Sequence, residues 1–365
     1  MIELSGFHNA MATFNNKTIL VCGGAGFIGS NFIHYILGNY PKVKLVNLDR
    51  LTYSGNLDNL KDISKDRRYG FIKGDIADEK IITKVFKKHK PDYVINLAAE
   101  THVDRSIHVG ALEFIKTNIQ GVFNILEAVK QNKKIIKYLQ VSTDEVFGTL
   151  SLDSKEKFNE KTAFDPNVPY AATKAGGDLL CNAYHTTWKV PVVVTHCSNN
   201  YGPYQYPEKL IPFFTVRMLE GKKLPLYGDG KNVRDWIYVI DHCRALELVL
   251  LNGVSGEVYN IGADNELSNL EIAMMIAKQF GKGKESFEFV PDRPGHDRRY
   301  AIDSAKIEME LGWKTVYSFE RAFQETVKWY KNNTVWIKKI QKKTGVFNPH
   351  IDLWKKHNLK PAIKN

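Results

Sequence analysis

Short apolar runs alternate with longer stretches of helical periodicity through the first 200 residues. Thr18 to Cys22 predicts a strand, Gly23 to Gly29 a glycine-rich turn, and Ser30 to Leu37 a helix. Lys44 to Leu48 predicts the next strand, closed by Asp49. Gly70–Lys73, Tyr93–Leu97, Lys137–Val141 and Val190–Thr195 predict further strands. Helical patterns lie between them, the clearest being Glu113–Lys130 and Tyr170–Trp188. Strands separated by helices imply an α/β fold: a Rossmann-type, doubly wound parallel sheet with right-handed crossovers. After Asn200 the texture changes. Gly202, Pro203, Pro207 and Pro212 punctuate the chain, and Leu224–Arg234 and Phe287–Arg299 read as loops. Between them Val258–Ile261 predicts a strand and Asn269–Phe280 a helix. The expected organisation is a dinucleotide-binding domain over 17–200 with returns near 235–265. A smaller α/β substrate lobe follows, mainly over 201–330, and then a basic tail over 331–365.

With 365 residues, the chain suits one large or two intimate domains. Its 43% hydrophobic and 25% charged content excludes disorder, collagen and a coiled-coil rod. No apolar stretch of about 20 residues predicts a membrane span, and residues 1–16 lack a signal pattern, so a cytoplasmic protein is expected. Cys22, Cys181, Cys197 and Cys243 lack metal-cluster spacing and read as buried small hydrophobes, so no metal is expected. The net charge of +11 raises the question of nucleic acid. The nine Lys and one Asp of residues 331–365 carry +8 of it, leaving +3 for the rest. No RNA-binding motif accompanies that segment, so a solvated basic tail is expected and nucleic acid is not.

Cys22-Gly23-Gly24-Ala25-Gly26-Phe27-Ile28-Gly29 lies between a strand and a helix. Glycines permit a tight turn and close approach of a pyrophosphate, and the helix N-terminus offers free N–H groups to it. Asp49 follows Gly29 by 20 residues, where an acid accepts hydrogen bonds from ribose hydroxyls and repels a 2′-phosphate. NAD is favoured over NADP, although Arg50 next door is a residue type that accepts such a phosphate. Asp75 and Ile76, after the third strand, are placed to meet the adenine.

Tyr170 and Lys174 share one helix face. A phenol is a poor base at neutral pH, but a nearby ammonium and a cationic nicotinamide favour its phenolate. Thr143-Asp144-Glu145 falls at the end of a predicted strand, the end that faces the ligand crevice. Oxidation alone needs no such acids. Elimination of water needs a base and an acid, and adjacent carboxyls with separated pKa values fill both roles. A nucleotide-sugar 4-epimerase, the nearest rival, needs neither.

Taken together, these segments resemble the extended short-chain dehydrogenase/reductase superfamily, and within it the dTDP-glucose 4,6-dehydratase family. The resemblance runs from about Lys17 to Tyr330. It includes Leu51–Asn56, Ala98-Ala99-Glu100-Thr101-His102-Val103-Asp104-Arg105-Ser106, Cys197–Pro203, Asn232-Val233-Arg234-Asp235-Trp236 and Arg293–Tyr300. It implies conversion of dTDP-glucose to a 4-keto-6-deoxy sugar by a tightly held NAD, with UDP-glucose as the alternative substrate. It further implies that Tyr170 takes the C4 hydroxyl proton, Glu145 the C5 proton, and Asp144 assists loss of the C6 hydroxyl. Thr117, Asn200 and the run Leu97-Ala98-Ala99-Glu100-Thr101 resemble cofactor contacts. Thr101, Thr143, Asn199, Lys209, Leu210, Pro225, Leu226, Tyr227, Arg234, Asn269, Arg293 and His296 resemble substrate contacts. Arg234, Arg293 and Lys209 are suited to a diphosphate. By analogy with the superfamily, a homodimer packed through Glu113–Lys130 and Tyr170–Trp188 is expected.

Overall fold

A computed structural model describes residues 12–344. Twelve strands are present among them. They are β1 (Thr18–Cys22), β2 (Lys44–Asp49), β3 (Tyr69–Lys73), β4 (Tyr93–Asn96), β5 (Lys137–Thr143) and β6 (Val192–Cys197), then β7 (Asn199–Tyr201), β8 (Leu224–Tyr227), β9 (Val233–Tyr238), β10 (Val258–Ile261), β11 (Glu266–Ser268) and β12 (Phe287–Val290). Seven form one sheet in the order β10-β6-β5-β4-β1-β2-β3. Every pairing in it is parallel.

Both faces of this sheet are covered at its centre, which is why β4, β5 and β6 are buried along their whole length and β1 along all but its first residue. Ile19 and Val21 point to one side, against the helices Phe27–Asn39 and Val239–Asn252, through Phe32, Ile36, Leu246 and Val249. Leu20 and Cys22 point to the other, against Glu79–His89, Gly121–Gln131 and Pro169–Trp188, through Phe86, Ile125 and Cys181. The alternation follows from the two-residue period of a strand. Lys137 begins β5 almost wholly buried. Its ammonium donates to the carbonyls of Val249, Leu251 and Gly253, closing the C-terminal end of the helix Val239–Asn252.

The lobe after Asn200 is more regular than its sequence suggested. Leu224–Arg234 holds β8 and the start of β9, and Phe287–Arg299 begins with β12. β8 pairs with β12, and β9 lies between β11 and β7. These strands are short and rich in turn formers at their ends, so periodicity alone read them as loops. Their core joins Phe213, Phe214, Trp236, Ile272 and Phe323. The chain returns to the main sheet at β10, and once more through Ile307 and Trp313, which pack in the core beside β10 and the helix Val239–Asn252.

The segment from Lys331 is not a solvated tail as far as it is described. Helices Phe319–Asn332 and Thr334–Thr344 carry Trp336, Ile337 and Ile340 into the lobe core. Trp336 Nε1 donates to Asn59 Oδ1 at 2.9 Å, and Lys339 pairs with Asp58 at 2.8 Å. The net charge concealed an amphipathic pattern whose apolar residues are spaced three and four apart. Residues 345–365, the rest of the expected tail, and residues 1–11 lie outside the described region.

Candidate active site

The glycine-rich turn connects β1 to the helix Phe27–Asn39, at the point where the sheet order reverses between β4 and β1. Gly23 has φ +80°, and a Cβ there would strike the backbone of Leu97 and Ala98. A Cβ on Gly29 would overlap the Gly23 carbonyl. Both positions therefore need glycine, Gly23 for the tight turn against Leu97 and Ala98 and Gly29 for close packing of the helix start on that turn. A crevice opens beside it, lined by Gly23, Gly26, Asp49, Asp75, Ile76, Leu97, Ala98, Ala99 and Thr117. These nine are among the residues expected to meet NAD; Leu48, Arg50, Thr52, Ser54, Gly55, Gly74 and Glu100 complete the lining, and the glycine cradle with Asp49 beside it suits a dinucleotide. Phe27 and Ile28 begin the helix and pack partly into the core beneath.

Asp49 is nearly buried. It accepts from Ala25 N at 2.9 Å and Leu51 N at 2.7 Å, and burial raises its carboxyl. Arg50 is engaged elsewhere, pairing with Asp75 at 3.2 Å and Glu113 at 3.3 Å. It is thus less free to hold a 2′-phosphate than its sequence position implied. Thr117 sits in a π-turn, Lys116–Gln120, between the helices Leu112–Ile115 and Gly121–Gln131. The uninterrupted helix expected over Glu113–Lys130 therefore carries one widened turn, which turns Thr117 toward the crevice.

The second group gathers at the end of β5. Thr143 is its last residue, and Asp144 and Glu145 open the short 3-10 turn Asp144–Phe147. Thr143 Oγ1 accepts from Glu145 N and donates to Asp144 Oδ1, both at 3.3 Å. Asp144 Oδ2 and Glu145 Oε2 are buried with no hydrogen-bond partner among the described residues. Burial and the Glu145 carboxylate hold Asp144 well above the ordinary carboxyl range. Burial also raises Glu145, but Lys209, Arg293 and Arg234 oppose it. The two acids thus sit in unequal fields, as a proton donor and a proton acceptor require.

Tyr170 lies in the first turn of the helix Pro169–Trp188, buried beside Thr143. Lys174, one turn on, donates to the Val141 carbonyl at 2.7 Å. The expected lowering of the phenol does not hold for the chain by itself. Burial and then the Glu145 carboxylate push Tyr170 well above its usual range, and burial lowers Lys174. Desolvation outweighs a single ammonium that is bonded to a carbonyl.

A cleft of about 630 Å³ extends from Glu145 into the lobe. Asn199, Lys209, Leu210, Pro225, Leu226, Tyr227, Arg234, Asn269, Arg293 and His296 line it, as does Asn200, which was expected on the cofactor. Thr101 and Thr143 are not on its wall, but Lys209 Nζ reaches the Thr101 carbonyl at 3.1 Å. Arg234 lies over the Tyr300 ring at 4.1 Å and donates to Asp297 O at 3.0 Å. Arg293 faces Asp104 at 3.7 Å. Burial lowers His296 to about 4, so its ring is neutral near pH 7. The sequence reading missed Phe213, Phe214, Arg217 and Tyr300 on the same wall. The first three lie on the helix Leu210–Leu219, whose apolar face gave no chemical signal.

Fold and constellation define the class: an extended short-chain dehydrogenase/reductase with an added acid pair. A family model described as GDP-mannose 4,6 dehydratase matches residues 20–326. A dTDP-glucose 4,6-dehydratase of Xanthomonas campestris is 47% identical over 340 residues, covering 88% of this chain and 95% of that protein. The crystal structure of a dTDP-glucose 4,6-dehydratase from Bacillus anthracis in complex with NAD superposes with a TM-score of 0.83. It is 49% identical and covers 89% of this chain and 99% of that one. A dTDP-glucose 4,6-dehydratase from Streptomyces venezuelae, also solved with NAD, gives 0.85 at 44% identity, covering 88% and 99%. This chain belongs to that nucleotide-sugar 4,6-dehydratase family.

Proposed function

We propose that the protein converts dTDP-glucose to dTDP-4-keto-6-deoxyglucose and water. The observation that carries this reading is the meeting of Thr143, Asp144, Glu145 and Tyr170 at one strand end, between a dinucleotide cradle and a cationic cleft. When bound, NAD supplies a cationic ring that accepts hydride from C4 and later returns it to C6. Tyr170 takes the C4 hydroxyl proton, with Thr143 hydrogen-bonded to the same oxygen. The 4-ketone so formed acidifies the proton on C5; Glu145 removes it, and a solvent-derived proton is added back at C5 when hydride reaches C6. Asp144, kept protonated by its burial, donates to the departing C6 hydroxyl. Lys209, Arg234 and Arg293 hold the diphosphate, and their charges keep Glu145 competent as a base. Neutral His296 and Asn269 serve as uncharged contacts on the same wall.

The assignment of Gly23, Gly26, Asp49, Asp75, Ile76, Leu97–Thr101 and Thr117 to NAD rests on the crevice they line or border. We place the protein in the cytoplasm; no described helix is long and apolar enough to cross a membrane. We also propose a homodimer. Leu112, Ile115, Phe123 and Leu179 are exposed large apolar residues on the two helices that the superfamily analogy indicates. The purified protein, offered dTDP-glucose without added reductant, is expected to form a 4-keto sugar, read by its absorbance in alkali. UDP-glucose is the comparison substrate. No keto product from dTDP-glucose would overturn the reading, and faster turnover of UDP-glucose would reassign the nucleotide.

A further inference from the structure

Behind the reacting groups lies a buried acid that the steps above do not use. Asp178 follows Lys174 by one helical turn and Tyr170 by two, so the three share a face. Its side chain is buried. Oδ2 accepts from Ser142 Oγ at 2.5 Å and faces His196 Nε2 at 3.3 Å. Its Oδ1 is buried with no hydrogen bond among the described residues. The helix therefore grips three successive residues of β5. Lys174 holds the Val141 carbonyl, Asp178 holds the Ser142 hydroxyl, and Tyr170 meets the Thr143 hydroxyl. The next two residues are Asp144 and Glu145. A shift of the helix by one register would move the phenol and both acids apart together.

We propose that Asp178 is a positioning residue for the dehydratase reaction: one turn from Lys174 on the same buried helix face, it places a negative charge behind the ammonium, and through Ser142 it fixes the strand end that carries Thr143, Asp144 and Glu145. An ammonium with no opposite charge nearby is expensive to bury. Asp178 is the leading favourable charge on Lys174, followed by Cys197 and Cys181. Around this pair, Ser142 and Tyr138 face Asp178 from β5 and His196 from β6. Glu145, Asp144 and Cys197 face Tyr170. The carboxylates near Tyr170 oppose its ionisation, and Lys174 is the cation one turn away on the same helix. Asp178 sustains that cation without touching substrate or cofactor.

This proposal rests on the dehydratase reading, and its test includes a readout that does not. Single-turnover reduction of bound NAD by dTDP-glucose, followed at 340 nm in a Glu145→Gln background that blocks elimination and so keeps the hydride on the cofactor, isolates the Tyr170 step. Asp178→Asn is expected to slow it by at least tenfold near pH 7 and to move its acid limb up by about one pH unit. Asp178→Glu should restore the pH position of that limb. Ser142→Ala should lower the rate without moving it. Thermal unfolding supplies the independent arm. Lys174→Met in the Asp178→Asn background removes the stranded ammonium, so the double variant should unfold at a higher temperature than Asp178→Asn alone. This comparison holds even if Asp178→Asn folds poorly. A wild-type pH profile in Asp178→Asn, or a double variant no more stable than that single one, would overturn the proposal. Absence of 4-keto product from the wild type would instead overturn the dehydratase reading.

Discussion

Glu145 and Asp144 are adjacent in sequence, yet the protein gives them different surroundings. Glu145 opens on the cleft and feels three cations, whereas Asp144 is buried with Glu145 as its nearest charge. Glu145→Gln should leave formation of bound NADH detectable while product formation falls by roughly 10³-fold, the upper part of the range for a general base. Unchanged dehydration would remove Glu145 from its role. The pH dependence follows from the directions of the shifts. Glu145 acts deprotonated, so its raised pKa puts the acid limb of activity above the ordinary carboxyl range. Asp144 acts protonated and sets the alkaline limb. Lys209→Met removes the leading cation on Glu145 and should move the acid limb to higher pH; a limb that stays in place would exclude that coupling. The same shifts bear on folding. Carboxyls raised in the native state hold protons that the unfolded chain has lost, so their contribution to stability declines as pH rises through that window.

At the scale of elements, the strands of the large sheet were legible because most are buried along their length and rich in apolar residues, the partly buried edge strand β3 still carrying Phe71 and Ile72. β1 and β10 fall where the pattern put them, and the others within a residue or two. The short strands β8, β9 and β12 were not legible. Their pairing partners lie 63 residues apart in one case, Leu224 with Phe287, and no local pattern encodes that. The glycine cradle was legible because its chemistry is local. The Lys137 cap was not, because it joins a strand to a helix more than 100 residues on. Lys137→Met would leave three helix-end carbonyls without their donor in a buried site. It should destabilise the protein by about 1–3 kcal/mol in urea unfolding, with bound cofactor retained. A loss below about 0.5 kcal/mol would mean that water replaces the ammonium freely.

Across the whole molecule, the basic C-terminal charge misled the sequence reading most. Lys331, Lys338, Lys339, Lys342 and Lys343 lie on or beside helices whose other face enters the lobe core. Lys343 Nζ also reaches the Gly55 carbonyl, in the loop that borders the cofactor crevice. The described part of that segment is thus a wall of the enzyme. The exposed apolar residues Leu112, Ile115, Phe123 and Leu179 belong to this scale too. Light scattering of the purified protein should give about twice the 41.6 kDa chain mass, and Leu179→Glu should reduce it. A species of chain mass alone in the wild type would contradict the dimer.

In the proposed reaction, one hydrogen leaves C4 of the hexose and comes back to C6 of the same sugar. dTDP-glucose carrying deuterium at C4, turned over by the protein in ordinary water and examined by NMR, decides it. Deuterium is expected at C6 of the 4-keto-6-deoxy product, with solvent hydrogen at C5. Deuterium released to water, or a C6 methyl group built only from solvent hydrogen, would contradict it.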